Sequence, residues 1–376
     1  MIGGARLTID LEALAANYRL IRDAVAPADV GGVVKANGYG LGASEVAQVL
    51  IAQGCRHIFV AVLGEAEALV PDLADGISLY VLNGLMPGTE AHCALLGAIP
   101  VLNSLDQIAR WSAQAAVLGR RLPAVLQVDT GMSRMGLPAD ELNRLLADPA
   151  LLDGIEPTLL ISHLACADEA DDPANAMQAA CFHEIARRFP GLPLALDNSG
   201  GAFHARQHFD LVRAGIALYG GAPHDGRNPM RPVIALEAAI AQLRTIPAGA
   251  GVGYGLTFHA ERATTIATIP VGYADGLPRC LGNKGAAWIA GVRVPMVGRV
   301  SMDSITLDVT DVPEEALYPG ATVELIGPHQ SLDQLAADAG TISYEILTQL
   351  GRRYQRVLLP AASPLSDDTI TRSIAP

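Results

Sequence analysis

A chain of 376 residues is long enough for two domains and buries enough apolar surface to need neither disulfide nor metal staples. Its 26 Lys and Arg against 39 Asp and Glu leave a formal charge of −13, which argues against a phosphate-neutralising nucleic-acid surface or an anionic membrane as partner. Half of the residues are hydrophobic, 17% are charged and 5% are aromatic, a profile of tightly packed α/β layers that excludes general disorder.

The opening, MIGGARLTIDLEAL, has acidic residues where a signal peptide would have its apolar core, and no run reaches the roughly 18 uninterrupted apolar residues of a membrane helix. A cytoplasmic address is expected. The strand-like ARLTIDL precedes a helix, LEALAANYRLIRDAV, and is expected to pair with the C-terminal part of the chain. Short β-rich runs then alternate with Ala/Leu-rich stretches of helical period. The predicted strands are VGGVVK (30–35), HIFVAV (57–62), ISLYVLN (77–83), AIPVLN (98–103), PAVLQVD (123–129), PTLLISH (157–163), LPLALD (192–197) and DLVR (210–213). Between them lie helices such as ASEVAQVLIAQG, LDQIARWSAQAAVLG, ADELNRLLAD and DPANAMQAACFHEIARRF, the last with an Asp cap and a first-turn Pro.

Eight βα units fit an α/β fold of the (β/α)8 barrel type, over residues 9–225, better than an open doubly wound sheet. A dinucleotide fold would want GxGxxG directly after an early strand, whereas the early cluster is GYGLG behind a lysine and an asparagine. After GGAPHDGRNPMRP (220–232) the texture changes to alternating strands: VIALEAAIAQLRTI, TTIATIPV, AAWIAG, VRVPMVGRV, DSITLDV and TVELIG. Helices return at LDQLAADAG and SYEILTQLG. Residues 226–376 therefore read as a mainly antiparallel β domain, to which residues 1–8 are assigned as well. The five cysteines are odd in number and scattered, with no CxxC pair, so neither zinc nor a redox dithiol is implied.

On a barrel, chemistry sits at the C-terminal ends of the strands. Those ends carry Lys35, Asn83, Asp129, His163, Asn198 with Ser199, and Arg213. Any one of them is compatible with ordinary strand-end polarity; their convergence on one face is harder to dismiss. Lys35, closing the apolar GGVVK, has two readings: a snorkelling surface lysine, or a partly desolvated amine of lowered pKa able to form a Schiff base.

The string VVKANGYGLG (33–42) resembles the pyridoxal-phosphate lysine motif of the alanine racemases. The resemblance continues in order through DTGMSRMG (129–136), SHLACADE (162–169), DNSGG (197–201), VRAGIALYG (212–220), GVGYGLTF (251–258), VGYADGLPR (271–279), GRVSMD (298–303) and SYEILTQLGRR (343–353). It implies a pyridoxal 5′-phosphate enzyme that racemises alanine, for peptidoglycan synthesis or for catabolism, as a homodimer with shared active sites. Lys35 would hold the cofactor covalently and act as one catalytic base. Tyr39, Ser199, Tyr344 and the N–H groups of Gly215 and Ile216 would take its phosphate. Asn198 would belong to the same cofactor site, Arg213 would face the pyridine nitrogen, and His163 would support Arg213. Tyr254 would be the second base, reaching the site from the partner subunit; a phenol with a pKa of about 10 needs help from polar neighbours to do so at neutral pH. Arg134 would bind the cofactor's phenolic oxygen and lie near the substrate carboxylate, which the backbone of Met302 also meets. Tyr273 and Tyr344 would narrow the entrance in favour of a methyl side chain.

One departure stands out. Many family members carry a carboxylated lysine where this chain has Gln127, and a neutral amide cannot supply that negative charge to Arg134. Rival readings are a serine or broad-specificity racemase, a decarboxylase on a related scaffold, a non-catalytic pyridoxal-phosphate-binding barrel and a cofactor-free lysine enzyme. The decarboxylases carry an HxGS-type motif where HLAC and NSGG stand here. The non-catalytic barrels resemble only the first part of the chain. The cofactor-free reading leaves Tyr39, Ser199, Arg213 and Tyr344 unexplained.

Overall fold

The computed structural model describes residues 3–204 and 208–361. Residues 1–2 and 362–376, which the sequence reading assigned to the β domain, lie outside the described residues. Strand β1 (Ala5–Asp10) hands directly to the helix Leu11–Val25, where the Asp10 carboxylate accepts the Ala13 N–H at 2.8 Å as an N-cap. Leu14, Tyr18, Ile21 and Val25 recur at helical spacing and are buried, which fixes the face the helix turns inward.

Eight parallel strands follow: β2 (Asp29–Val33), β3 (His57–Val60), β4 (Ser78–Val81), β5 (Ile99–Leu102), β6 (Leu122–Gln127), β7 (Ile155–Ile161), β8 (Leu194–Ala195) and β9 (Leu211–Ala214). Each pairs with its predecessor from β3 to β8, and β9 returns to pair with β2. Two backbone bonds, Asp210 N–H to the Leu194 carbonyl at 2.9 Å and Arg213 N–H to the Asp197 carbonyl at 3.0 Å, close the ring between β8 and β9. The predicted run at 192–197 shrinks to two residues because the chain turns away at Asp197 into the DNSGG loop, a distortion at a strand end that reaches the cavity.

The C-terminal part is built of β10 (Ile234–Ala239), β11 (Gln242–Ile246), β12 (Gly251–Val252), β13 (Phe258–His259), β14 (Thr264–Ile269), β15 (Ala286–Ile289), β16 (Val292–Pro295), β17 (Ile305–Asp308), β18 (Thr322–Ile326) and β19 (Gln355–Leu359). A six-stranded sheet runs β16-β15-β18-β10-β1-β19 and a three-stranded one β11-β14-β17. All of their pairs are antiparallel except β1 with β19. VIALEAAIAQLRTI, a single apolar run in the sequence, is two strands in different sheets. The chain crosses at Ile240 and Ala241, whose N–H groups go to Ala321 of one sheet and Thr268 of the other, at 2.9 and 2.8 Å. One continuous cluster of buried side chains runs from the barrel into the six-stranded sheet, so the two parts share a core. Among the described residues no helix is long and apolar enough to cross a membrane.

Candidate active site

At the C-terminal mouth of the barrel, a cavity of about 570 Å³ is lined by Lys35, Tyr39, Gln127, Arg134, His163, Asn198, Ser199, Arg213, Gly215, Ile216 and Tyr344, with Asn83 at one side. Lys35 does not end β2, as the sequence suggested, but follows Val34 and opens a tight turn. The four residues after it, Ala36, Asn37, Gly38 and Tyr39, all have positive φ, at 52°, 55°, 61° and 52°. Left-handed backbone costs roughly 1–2 kcal/mol per non-glycine residue, so this turn is held by its surroundings. The Val33 carbonyl accepts the buried Tyr219 hydroxyl at 2.9 Å, and the Tyr39 ring, turned inward, stacks on Tyr219 with centroids 4.4 Å apart. Burial, helped by the nearby Arg134 and Arg213 charges, lowers the Lys35 pKa, while Glu65 pulls the other way. The amine is thereby more often neutral and nucleophilic at physiological pH than an exposed lysine.

Beside it stands a set of hydrogen-bond donors. Ser199 Oγ accepts the N–H groups of Gly215 and Ala217 at 2.9 and 3.3 Å, which places its hydroxyl against the turn after β9. A Cβ on Gly215 would lie 2.5 Å from Tyr39 Oη, so only glycine lets phenol, hydroxyl and backbone come together there. Tyr344 tilts over Tyr39 at 5.9 Å, and burial pushes its phenol up to about 12, leaving it a neutral donor. Asn198 serves its own loop: its Oδ1 accepts the Gly200 and Gly201 N–H groups at 3.1 and 3.2 Å, which sets the turn that carries Ser199.

Arg213 is buried and donates through Nη1 to the Ala195 carbonyl at 2.8 Å and through Nη2 to the carbonyls of Ser162 and Leu196, at 2.5 and 3.2 Å. Burial lowers its pKa to about 10, which still leaves it charged at neutral pH. Nη2 also approaches His163 Nδ1 at 3.2 Å. A guanidinium has no lone pair to offer, so Nδ1 is the acceptor and His163 carries its proton on Nε2. Burial and then the Arg213, Arg134 and Lys35 charges push the His163 pKa down to about 3. The Arg213 Nε has no acceptor among the described residues.

Three expected site residues are elsewhere. Tyr254, Tyr273 and Met302 do not line this cavity; they are 73%, 43% and 54% exposed on the C-terminal part. They share one surface: Tyr254 lines a depression with Arg299 and Ser301, the Ser301 carbonyl accepts the Tyr273 N–H at 3.0 Å, and Met302 is next in the chain. A Cβ on Gly272 would come within 2.3 Å of the Ser301 carbonyl, so the close approach of these two segments depends on glycine. The Tyr273 turn is set by the buried Asp275, which accepts the Gly272 N–H at 2.9 Å and both sides of the Arg353 fork at 2.7 and 2.8 Å. Tyr219, Glu65, Asp275 and Arg353 shape the site without having been singled out in the sequence. Tyr219, Asp275 and Arg353 lie within the motifs VRAGIALYG, VGYADGLPR and SYEILTQLGRR, which were usable signals, whereas Glu65 lies in none of them.

A parallel barrel with a desolvated lysine at its mouth and an anion-receiving set of donors beside it defines an enzyme class, that of barrel enzymes working through a lysine amine and a phosphorylated ligand. The chain belongs to the alanine racemase family: residues 9–223 match the family model for the alanine racemase N-terminal domain and residues 233–358 that for the C-terminal domain. It is 53% identical over 372 residues to the catabolic alanine racemase of Agrobacterium fabrum, covering 98% of this chain and 96% of that one. To the catabolic alanine racemase of Rhizobium johnstonii it is 54% identical over 354 residues, 93% of each. The crystal structure of alanine racemase from Bartonella henselae with covalently bound pyridoxal phosphate superposes with a TM-score of 0.92 at 43% identity, over 95% of this chain and 99% of that one.

Proposed function

We propose that this chain interconverts L- and D-alanine with pyridoxal 5′-phosphate, using Lys35 of one copy and Tyr254 of a second copy as bases on opposite faces of the substrate carbon. The observation that carries the reading is the half-buried Lys35 amine, of lowered basicity, facing the cavity that also holds Tyr39, Ser199 and Gly215. The donor set fits the cofactor. Two neutral phenols and a serine hydroxyl, held close together by Gly215, suit a phosphate monoester, Arg213 presents an unengaged Nε, and Arg134 brings another cation to the cavity. Bound there, pyridoxal phosphate supplies a carbonyl for the lysine amine and a conjugated ring that takes up charge when the substrate Cα loses its proton.

The remaining work falls to side chains. Lys35 would hold the cofactor, release it to the substrate amine, and then carry the proton on the D face of the substrate carbon. Arg213 would donate a hydrogen bond at the ring nitrogen without readily surrendering its proton, an arrangement that would leave less charge on the ring and favour return of the proton to the substrate carbon. Arg134 would anchor the substrate carboxylate. With Gln127 in the cavity lining, it lacks the anionic partner a carboxylated lysine would give.

One base on one face would return the proton it removed, so racemisation needs the second. Tyr254, Tyr273 and Met302 lie together on an exposed face away from the cavity of their own chain, which supports a homodimer in which each copy completes the other's site. Tyr273 and Tyr344 would then narrow the entrance toward alanine rather than serine or larger amino acids. The names of the Agrobacterium and Rhizobium relatives favour a catabolic role over peptidoglycan supply. Five unpaired cysteines suit the reducing cytoplasm.

The test is a chiral assay of the cofactor-loaded protein on a panel of amino acids, followed by Cα exchange in deuterated water. Alanine should be the best substrate. Tyr254→Phe should keep the bound cofactor but lose racemisation by about a hundredfold or more, with exchange on L-alanine lost and some exchange on D-alanine kept. Equal loss of both exchanges would refute the division of labour between the bases.

A further inference from the structure

Glu65 lies outside the cavity lining, on the helix Leu63–Leu69 that follows β3, yet it touches the segment that carries the reactive lysine. Its Oε1 accepts the Ala36 N–H at 2.6 Å, and its Oε2 accepts the Ala61 N–H at 2.7 Å and the Val62 N–H at 3.4 Å. One carboxylate thus ties the first residue after Lys35 to the end of the neighbouring strand. Ahead of Lys35 the Val34 N–H goes to the Phe59 carbonyl at the end of β3, at 2.8 Å, and at the far end of the turn the Tyr39 ring stacks on Tyr219. Between these two anchors the backbone bonds are local: Gly38 N–H to the Val34 carbonyl at 2.7 Å, Gly40 to Ala36 at 2.8 Å and Gly42 to Asn37 at 2.9 Å. The bridge from Ala36 to Ala61 adds a tie to the barrel at the residue next to Lys35, and its loss frees that peptide to shift and carry the lysine with it.

We propose that Glu65 is a positioning residue for the racemase reaction, its carboxylate clamping the Ala36 and Ala61 N–H groups so that the left-handed turn aims the Lys35 amine. The inference rests on the reading of Lys35 as the cofactor-holding base. A carboxylate is the group this job requires, since both of its oxygens accept. A glutamine would accept with one atom and set an NH2 against the other N–H. The charge has a second effect, for it favours the protonated amine and opposes the pull of burial and of Arg134.

The experiment compares Glu65→Gln, Glu65→Asp and, as a control, Glu67→Ala, whose carboxylate, among the described residues, meets only the half-buried His92 at 3.4 Å. Three quantities are read: amide exchange over residues 34–41, kcat and KM of the holoenzyme, and the pH midpoint at which the apo-protein captures pyridoxal phosphate. Both Glu65 variants should lose protection at the turn and lower kcat about tenfold or more with KM little changed. Glu65→Gln should also move the capture midpoint to lower pH, because the amine loses its anionic neighbour. Glu65→Asp keeps the charge, so its midpoint should stay, and Glu67→Ala should match the native protein throughout. A folded Glu65→Gln with native turn protection and native kcat would overturn the proposal, as would a loss confined to KM. Should Lys35→Ala still capture the cofactor covalently, the assignment of Lys35 fails on its own account, whatever Glu65 does.

Discussion

Arg213 and His163 show how a charge is kept inside a barrel mouth. The guanidinium gives its Nη protons to the carbonyls of Ser162, Ala195 and Leu196; the Ala195 carbonyl also accepts the Ser162 N–H, so removing Arg213 strands the other two acceptors. At roughly 1–3 kcal/mol for each buried group left unpaired, Arg213→Ala should cost at least about 2 kcal/mol in urea unfolding, beyond any effect on catalysis. His163 pays the electrostatic side of the arrangement by staying neutral. Its pKa is about 3 in the fold and about 6.5 in the unfolded chain, so between these values the unfolded state binds more protons and stability falls as pH falls. The slope is about 1.4 kcal/mol per pH unit once pH is well below 6.5. His163→Gln cannot titrate, and its unfolding free energy between pH 6 and pH 4 should be shallower by about that amount; an unchanged slope would show that another group carries the dependence.

At the scale of elements, β1 illustrates a division between sequence order and packing. The first strand of the chain sits inside the six-stranded C-terminal sheet, antiparallel to β10 and parallel to β19, with Leu7 and Ile9 wholly buried. Leu7→Ala should therefore destabilise the protein by about 2–5 kcal/mol in denaturant unfolding without altering capture of pyridoxal phosphate at Lys35 by the folded fraction. The barrel strands were legible because each βα unit repeats an apolar run, a turn and an amphipathic helix. Other strands were not. QRVLL, now β19, has a largely exposed pattern, and β12 and β13 are two residues each, too short to show a period. In the candidate site, the strand-end groups could be read from residue type and place. Tyr219 and Glu65 could not, because they act on backbone groups, the Val33 carbonyl and the Ala36 N–H, whose positions depend on a left-handed turn that residue types alone do not announce.

The whole molecule presents two surfaces of one chain to which the proposed reading assigns chemistry, a cavity at the barrel mouth with Lys35 and an exposed C-terminal face with Tyr254. The two account for racemisation if a second copy brings its face to the cavity. Subunit complementation tests this most directly. Lys35→Ala and Tyr254→Phe chains, each inactive, are mixed under conditions of confirmed subunit exchange and assayed for racemisation of alanine. Each heterodimer then contains one site with both native bases and one with neither, so the account predicts recovery toward half of the native activity per heterodimer. No recovery, with exchange verified, would place both bases in the same chain and contradict the shared site.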